Sequence, residues 1–353
     1  PDDLVSGSGL YAGELAVRKQ KMHEGLAAWH GVVLARKIGA EDVCRVDIIR
    51  PDNRPDLRKT EGTGMGIKTI LVPIDGSKGS LAALSRAFVV ANRFGSHIKA
   101  LHVMTRGSDV AGTGTYNLPA KLRKSVEEKA DELAMERAAE LQEHFEAHCQ
   151  DNDIPISTRP IKGGGATAAW HQEFGNVDEV LIHHGLVSDV IAVPRPKIKQ
   201  GVLRRSPMGK AIEAILLKTG RPVLIEPPKS KAKKCARIAI GWNDSVECSR
   251  AVALTMPWLA ELDEVAVLVS KKRKSSVKSL AEYLAWYNVK ANIELLDGKG
   301  DSIGEAMLNV CSEVSADFLI VGGFSHARAR ELLFGGVTRY LLQHSNIVTI
   351  MAH

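Results

Sequence analysis

Apolar residues along this chain gather into short continuous runs, separated by longer stretches where they recur at helical spacing. "TILVPI" (69–74) and "RIAIGW" (237–242) are such runs. Each is followed by a polar turn holding a serine, "DGSKGS" (75–80) or "NDSVEC" (243–248), and then by a stretch of mixed apolar and small residues. A continuous apolar run reads as a strand buried on both faces, and a serine before a periodic segment reads as a helix N-cap. A second apolar run closes each unit, "IKALHV" (98–103) or "EVAVLVS" (264–270). The pattern is a β-α-β unit used twice, from Lys68 to Val103 and from Ala236 to Ser270, about 168 residues apart. A spacing of that size marks a duplicated domain, not a solenoid, and β-α-β units predict a parallel sheet covered by helices.

The halves continue in parallel. In the first, the pattern predicts a long amphipathic helix over 121–152, a strand in "ISTRPIKG" (156–163), and helix over 168–188. A strand in "DVIAVPRP" (189–196), a helix stopped by Gly220 and a last strand in "RPVLIEPP" (221–228) follow. In the second, helices are expected over 276–288, 302–316 and 329–345, with strands in "KANIELLDG" (290–298), "DFLIVGG" (317–323) and "NIVTIMAH" (346–353). Each half therefore reads β-α-β-α-β-α-β-α-β. The expected organisation is an extension over 1–64, a first domain over 65–228, a basic Pro-containing linker over 229–234 and a second domain over 235–353. The extension holds one expected helix and a polar run, "RPDNRPDLRKTEGTG". Met65 stands just before the first strand and reads as a native start, with 1–64 an extension or an upstream reading-frame artefact, against a rival reading of that segment as a real accessory helix.

Composition changes this picture little. At 353 residues, with 44% hydrophobic and 25% charged residues, the chain is an ordinary globular protein of about two domains. No stretch approaches the roughly 18 uninterrupted apolar residues of a membrane span, and the acidic N-terminus lacks the apolar segment of a signal peptide. Five scattered cysteines without a CxxC fit a reducing cytosol and inert thiols. The net charge of +6 sits largely in "KSKAKK" and "KKRK", runs with little aromatic interleaving that read as solvated loops and not as a nucleic-acid surface.

Taken together, "ILVPIDGS", "IKALHV" and the ending "VGGFSHARARELLFGGVTRYLLQHSNIVTIMAH" resemble a universal stress protein, and the pairing with "IAIGWNDSVECSRAV" resembles its tandem two-domain form. The likeness covers about 67–228 and 235–353. It implies two tandem α/β domains, each a doubly wound, Rossmann-like, five-stranded parallel sheet, paired as the chains of a dimer are. It also implies a cytoplasmic stress-response role and, in many members, ATP or another adenine nucleotide at the carboxyl edge of the sheet, with Mg only as the nucleotide's companion. A homodimer and an unidentified regulatory protein are the further partners this suggests.

The family's nucleotide motif is G-x2-G-x9-G-[ST]. Gly322 and Gly335 take its first and third positions, Ser325 stands where the second glycine belongs, and Gly336 stands where Ser or Thr belongs. Glycines let a backbone approach a phosphate, and the helix that follows aims free N–H groups at it. The expected nucleotide site comprises Asn243, Ser270, Gly322, Gly323, Ser325, His326, Arg328, Gly335, Gly336, Val337 and Thr338. The alternative is that these glycines only permit close helix–strand packing. In the first half, Pro73, Asp75 and Val103 match family positions, but Pro194 and Pro196 replace the glycines and remove N–H donors. That half reads as degenerate for ATP, with Arg195 and its basic neighbours offering only side-chain charge.

Three other features read as structural. "KGGGATAAW" (162–170) is a turn before a helix and lacks P-loop spacing. His183-His184 reads as helix surface, and Cys248, near a helix start, as an inert thiol. Neither a Lys-Ser/Thr P-loop nor an acidic metal pair supports hydrolysis. The favoured function is regulatory nucleotide binding; the competing ones are a ligand-free scaffold and, more weakly, a nucleotide-dependent enzyme.

Overall fold

The computed structural model describes residues 66–111, 119–159, 161, 164–196, 207–228, 236–297, 301–323 and 336–353. Its strands are β1 (Thr69–Pro73), β2 (His97–Met104), β3 (Thr167–Phe174), β4 (Val190–Pro194), β5 (Val223–Glu226), β6 (Ile238–Trp242), β7 (Glu264–Ser270), β8 (Lys290–Leu296), β9 (Phe318–Gly322) and β10 (Val348–Ala352). They form one sheet in the order β3-β2-β1-β4-β5-β10-β9-β6-β7-β8. Every pairing is parallel except the central one, where β5 meets β10 antiparallel through Thr349↔Ile225, Ile350↔Leu224 and Met351↔Val223. Each half thus repeats the same strand order, and the halves join edge to edge.

The helices are α1 (Lys78–Phe94), α2 (Gly107–Ala111), α3 (Ala120–Asp151), α4 (Val177–Leu186), α5 (Pro207–Thr219), α6 (Val246–Leu254), α7 (Met256–Leu259), α8 (Val277–Ala285), α9 (Asp301–Glu313) and α10 (Gly336–His344). Two apolar clusters divide them between the faces of the sheet. One holds Phe88, Phe145, Val252, Trp258 and Leu280, from α1, α3, α6, α7 and α8; the other holds Leu181, Ile212, Cys311 and Leu341, from α4, α5, α9 and α10. Strands covered on both sides must be apolar at successive positions, which is why the runs are continuous and do not alternate.

Two sequence expectations fail in one place. The strand lies in "TAAWHQEF", where helix is expected, and α4 begins only after Asn176, whose side chain accepts hydrogen bonds from Asp178 N and Glu179 N. Of the strand expected at 156–163, only an Ile156↔Ala168 bridge forms among the described residues. The glycine cluster therefore precedes a strand, not a helix. Pairing along all of β2, from His97↔Thr167 to Met104↔Phe174, overrides the weak intrinsic preference of this segment. The expected 329–345 helix is described only from Gly336, as α10.

The halves are fastened by more than the central strand pair. Arg86, on α1, lies across the seam, 5.4 Å over the ring of Phe318 on β9, and is held there by a buried ion pair with Glu226 of its own half (2.8 Å). Phe94 meets Trp258 edge-on at 5.9 Å, and Arg93 pairs with Glu261. Arg195 donates from Nη1 to the carbonyl of Ser345 at 2.6 Å.

Candidate functional site

In an open parallel sheet the crevice forms where neighbouring strands send their helices to opposite faces, outside the carboxyl ends. Strand order and helix placement give each half one such point. In the second half it lies between β6 and β9, paired through Gly241↔Val321, because α6 packs on one face and α10 on the other. In the first half it lies between β1 and β4, with α1 and α5 on opposite faces.

Both crevices have the same wall on one side. After β1, Asp75 Oδ1 accepts from Ser77 N (2.9 Å), Gly76 takes φ +79°, and Ser77 caps α1 by accepting from Ser80 N (3.1 Å). After β6, Asn243 Oδ1 accepts from Ser245 N (3.2 Å), Asp244 takes φ +59°, and Ser245 caps α6 by accepting from Cys248 N (3.2 Å). Asp and Asn carry the same carbonyl-type oxygen for this turn, and Gly and Asp both tolerate the left-handed conformation. Burial alone would raise the Asp75 carboxyl, but hydrogen bonds from Ser77 and Ser80 outweigh it and hold the group below its ordinary value.

The opposite walls differ. After β4 come Arg195 and Pro196, and the Arg195 N–H is donated to Glu226 O (2.8 Å) while its guanidinium reaches Ser345. Arg195 therefore fastens the two halves. After β9 comes Gly323, whose N–H donates to Ala352 O (2.8 Å) and whose carbonyl meets His353 Nδ1 (3.1 Å). Gly322 sits against the first turn of α6: a Cβ there would stand 2.5 Å from Cys248 N and 2.9 Å from Glu247 C. Close approach of strand and helix explains this glycine without a ligand. Among the described residues, a Cβ on Gly323 would meet nothing nearer than 3.7 Å.

Of the expected site residues, Asn243, Gly322 and Gly323 stand at the carboxyl ends of β6 and β9, and Ser270 ends β7, the next strand. Gly336, Val337 and Thr338 form the first turn of α10, with Val337 half-buried and Thr338 buried. Pro73 is buried in β1 and Val103 half-buried in β2. Ser325, His326, Arg328 and Gly335 lie outside the described residues, as do Lys197, Lys199, Arg204 and Arg205. Cys248 is fully buried, donates to Gly241 O, and is pushed up to about 11 by burial, so the helix start does not make it a thiolate. His183 is exposed and His184 half-buried, and no group of three His, Cys, Asp or Glu side chains fit for a metal occurs among the described residues.

With this geometry in hand, residues 66–225 match the model of the Universal stress protein family. The chain carries a universal stress protein domain. The fold of a universal stress protein from Archaeoglobus fulgidus DSM 4304 is similar at a TM-score of 0.57, with 14% identity over 80% of this chain and 97% of that one. That coverage exceeds what the first half supplies, so the likeness in fold runs into the second. Universal stress protein UspA from Lactobacillus plantarum is 17% identical, with a TM-score of 0.34 over 46% of this chain and 99% of its own. A universal stress protein in complex with cAMP is 15% identical, with a TM-score of 0.30 over 45% and 97%. No curated protein matches the sequence. Among the described residues no helix is long and apolar enough to cross a membrane.

Proposed function

We propose that this universal stress protein is a cytosolic regulator that binds an adenine nucleotide, ATP or AMP, in the crevice between β6 and β9. It does so through a nucleotide site in the second of two tandem domains, 65–228 and 235–353, which pair as a dimer would. The observation that carries the reading is the difference between the two crevices: only the second keeps glycines at the end of its fourth strand. A phosphate would meet the N-terminal turn of α10, where backbone N–H groups and the helix dipole favour an anion by roughly 0.3–1 kcal/mol, up to about 2 when partly buried. Ser270 and Asn243 would face the sugar and base, and Mg would enter only with the nucleotide.

A scaffold reading has its own support. Gly322 is explained by packing against α6, and the Asn243 oxygen serves its own turn. Titrating freshly stripped protein with ATP and AMP separates the two, with Gly323→Val as the blocked control. Binding of one nucleotide per chain that weakens at least about tenfold in Gly323→Val, at unchanged melting temperature, supports the site. No binding at millimolar nucleotide makes the loop structural and leaves the scaffold.

A further inference from the structure

On the α4 side of the first half, away from both crevices, five nitrogen side chains and one carboxylate collect. His97 and Lys99 project from β2 on one face, with His171 and Glu173 from β3 on the same face, since the register pairs Lys99 with Ala169, Leu101 with His171 and Val103 with Glu173. α4 lays His183 and His184 against them. The contacts form a chain. Lys99 Nζ is 2.6 Å from His184 Nδ1, and His184 Nε2 is 2.9 Å from Glu173 Oε2. The outer partners fix the ring between them: an ammonium can only donate and a carboxylate can only accept, so Nδ1 is the acceptor and the ring proton sits on Nε2. His97 is turned to Thr167 Oγ1, 2.8 Å away.

An amine touching a histidine whose far nitrogen is held by a carboxylate has the layout of an activated nucleophile: a base in hydrogen-bond reach and a third group orienting it. The setting makes the ammonium easier to deprotonate than an exposed lysine's. Burial pushes Lys99 below its ordinary value against the pull of Glu173, and burial with the nearby Lys99 charge pushes His97 and His171 down too. Glu173 is the one acid in a group of nitrogen bases, so a proton leaving Lys99 has a prepared place on His184.

We propose that Lys99 is a reactive amine, the site at which this protein is N-acylated by small activated acyl groups, with His184 as proton acceptor and Glu173 as its positioning residue. The Lys99 ammonium passes one proton to His184 Nδ1. The freed lone pair attacks the acyl carbonyl carbon and a C–N bond forms. The acyl C–O bond of an acyl phosphate, or the C–S bond of a thioester, then breaks. Phosphate or thiolate departs with the electron pair and takes up the second nitrogen proton, leaving a neutral amide. The acylated chain loses one positive charge at the β2–β3 edge.

The test uses the intact chain, incubated in parallel with acetyl phosphate and with acetyl-CoA, and followed by peptide mass spectrometry over time. Lys124 and Lys278, with side chains 77% and 84% exposed, are internal references. Lys99 should acylate about tenfold faster than either, a modest share of what a positioned proton acceptor contributes. His184→Gln keeps a hydrogen-bonding group but no base, and should bring Lys99 down to the reference rate while Lys124 and Lys278 are unchanged. Glu173→Gln, at a half-exposed position, should slow Lys99 severalfold and displace its pH–rate profile. Reaction with one donor only assigns the donor class and upholds the site. A Lys99 rate at or below that of Lys124 with both donors overturns it. So does a Lys99 rate unchanged in both variants.

Discussion

The two halves of this sheet share a strand order and a turn, and differ in what they do with the crevice the turn opens. The first ends its fourth strand in Pro194-Arg195-Pro196 and turns the arginine to the second half, through Ser345 O at 2.6 Å. The second ends β9 in Gly322-Gly323, where Gly322 packs against α6 and a Cβ on Gly323 would meet no described atom nearer than 3.7 Å. They differ at their outer edges as well. In the first, the 32-residue α3 covers β2 and β3, with Phe145 against Trp170 at 5.7 Å. In the second, α8 has 9 residues, and Ile293 and Leu295 of β8 stay 41% and 38% exposed. One backbone plan therefore carries two different strand ends and two different outer edges. The turn is common to both because it rests on backbone geometry; the loops differ because only chemistry would hold them alike.

The largest single energy should lie beside the seam, in the ion pair of the first half that holds Arg86 over Phe318 of the second. Arg86 and Glu226 are both 2% exposed. Removing one partner of such a pair leaves the other charge buried, at a cost of about 3–5 kcal/mol. Glu226→Ala should lower the unfolding free energy measured in urea by that amount. A loss below about 1 kcal/mol would show that Arg86 keeps its place over Phe318 without Glu226.

The glycines of the second crevice come next. Gly322→Ala drives a methyl group into Cys248 N and should cost roughly 1–3 kcal/mol, the usual range for overpacking. Gly323→Ala has room and should stay within about 0.5 kcal/mol. Equal effects at the two positions would mean that the β9–α6 approach is looser than the strand geometry indicates.

The shared turn can be tested by exchange. Gly76→Asp places a side chain at φ +79°, where a Cβ would stand 2.5 Å from Arg137 Nη2 and 2.7 Å from Leu141 Cδ2; a non-Gly residue in this region costs about 1–2 kcal/mol. Asp244→Gly should instead stabilise, by up to about 1 kcal/mol, because it relieves the left-handed conformation at φ +59°. Matching melting shifts in the two variants would break the equivalence of the turns.

Most of the fold was legible because buried parallel strands leave continuous apolar runs and serine caps leave a fixed offset. Ser77 and Ser245 cap where the sequence places them. β3 was not legible: Thr-Ala-Ala-Trp-His-Gln-Glu-Phe has a single β-branched residue and no continuous apolar run, and its register with β2 makes it a strand. Contacts between distant residues were equally hidden. Arg86 and Glu226 lie 140 positions apart, and Lys99 and His184 lie 85 apart. Nothing in local spacing marks them. The nucleotide candidates were found by motif, yet a motif cannot separate a glycine that admits a phosphate from Gly322, which admits a helix.

The smallest effect is one of pH, and it distinguishes the halves by where their histidines are buried. His97, His148 and His171, all in the first half, are pushed below the ordinary value of 6.5 chiefly by burial, with the Lys99 charge adding to it at His97 and His171. The folded chain therefore holds these rings neutral at a pH where the unfolded chain protonates them. Between the two values the unfolded state binds more protons, so stability rises with pH. Their contribution is complete above about 6.5 and is lost as pH falls from there through the lowered folded-state values. A denaturation midpoint measured from pH 7.5 to 5 should fall over that window, and His171→Gln should flatten part of the fall. A flat midpoint in the unaltered chain would mean that these rings protonate in place, at no cost to the first half.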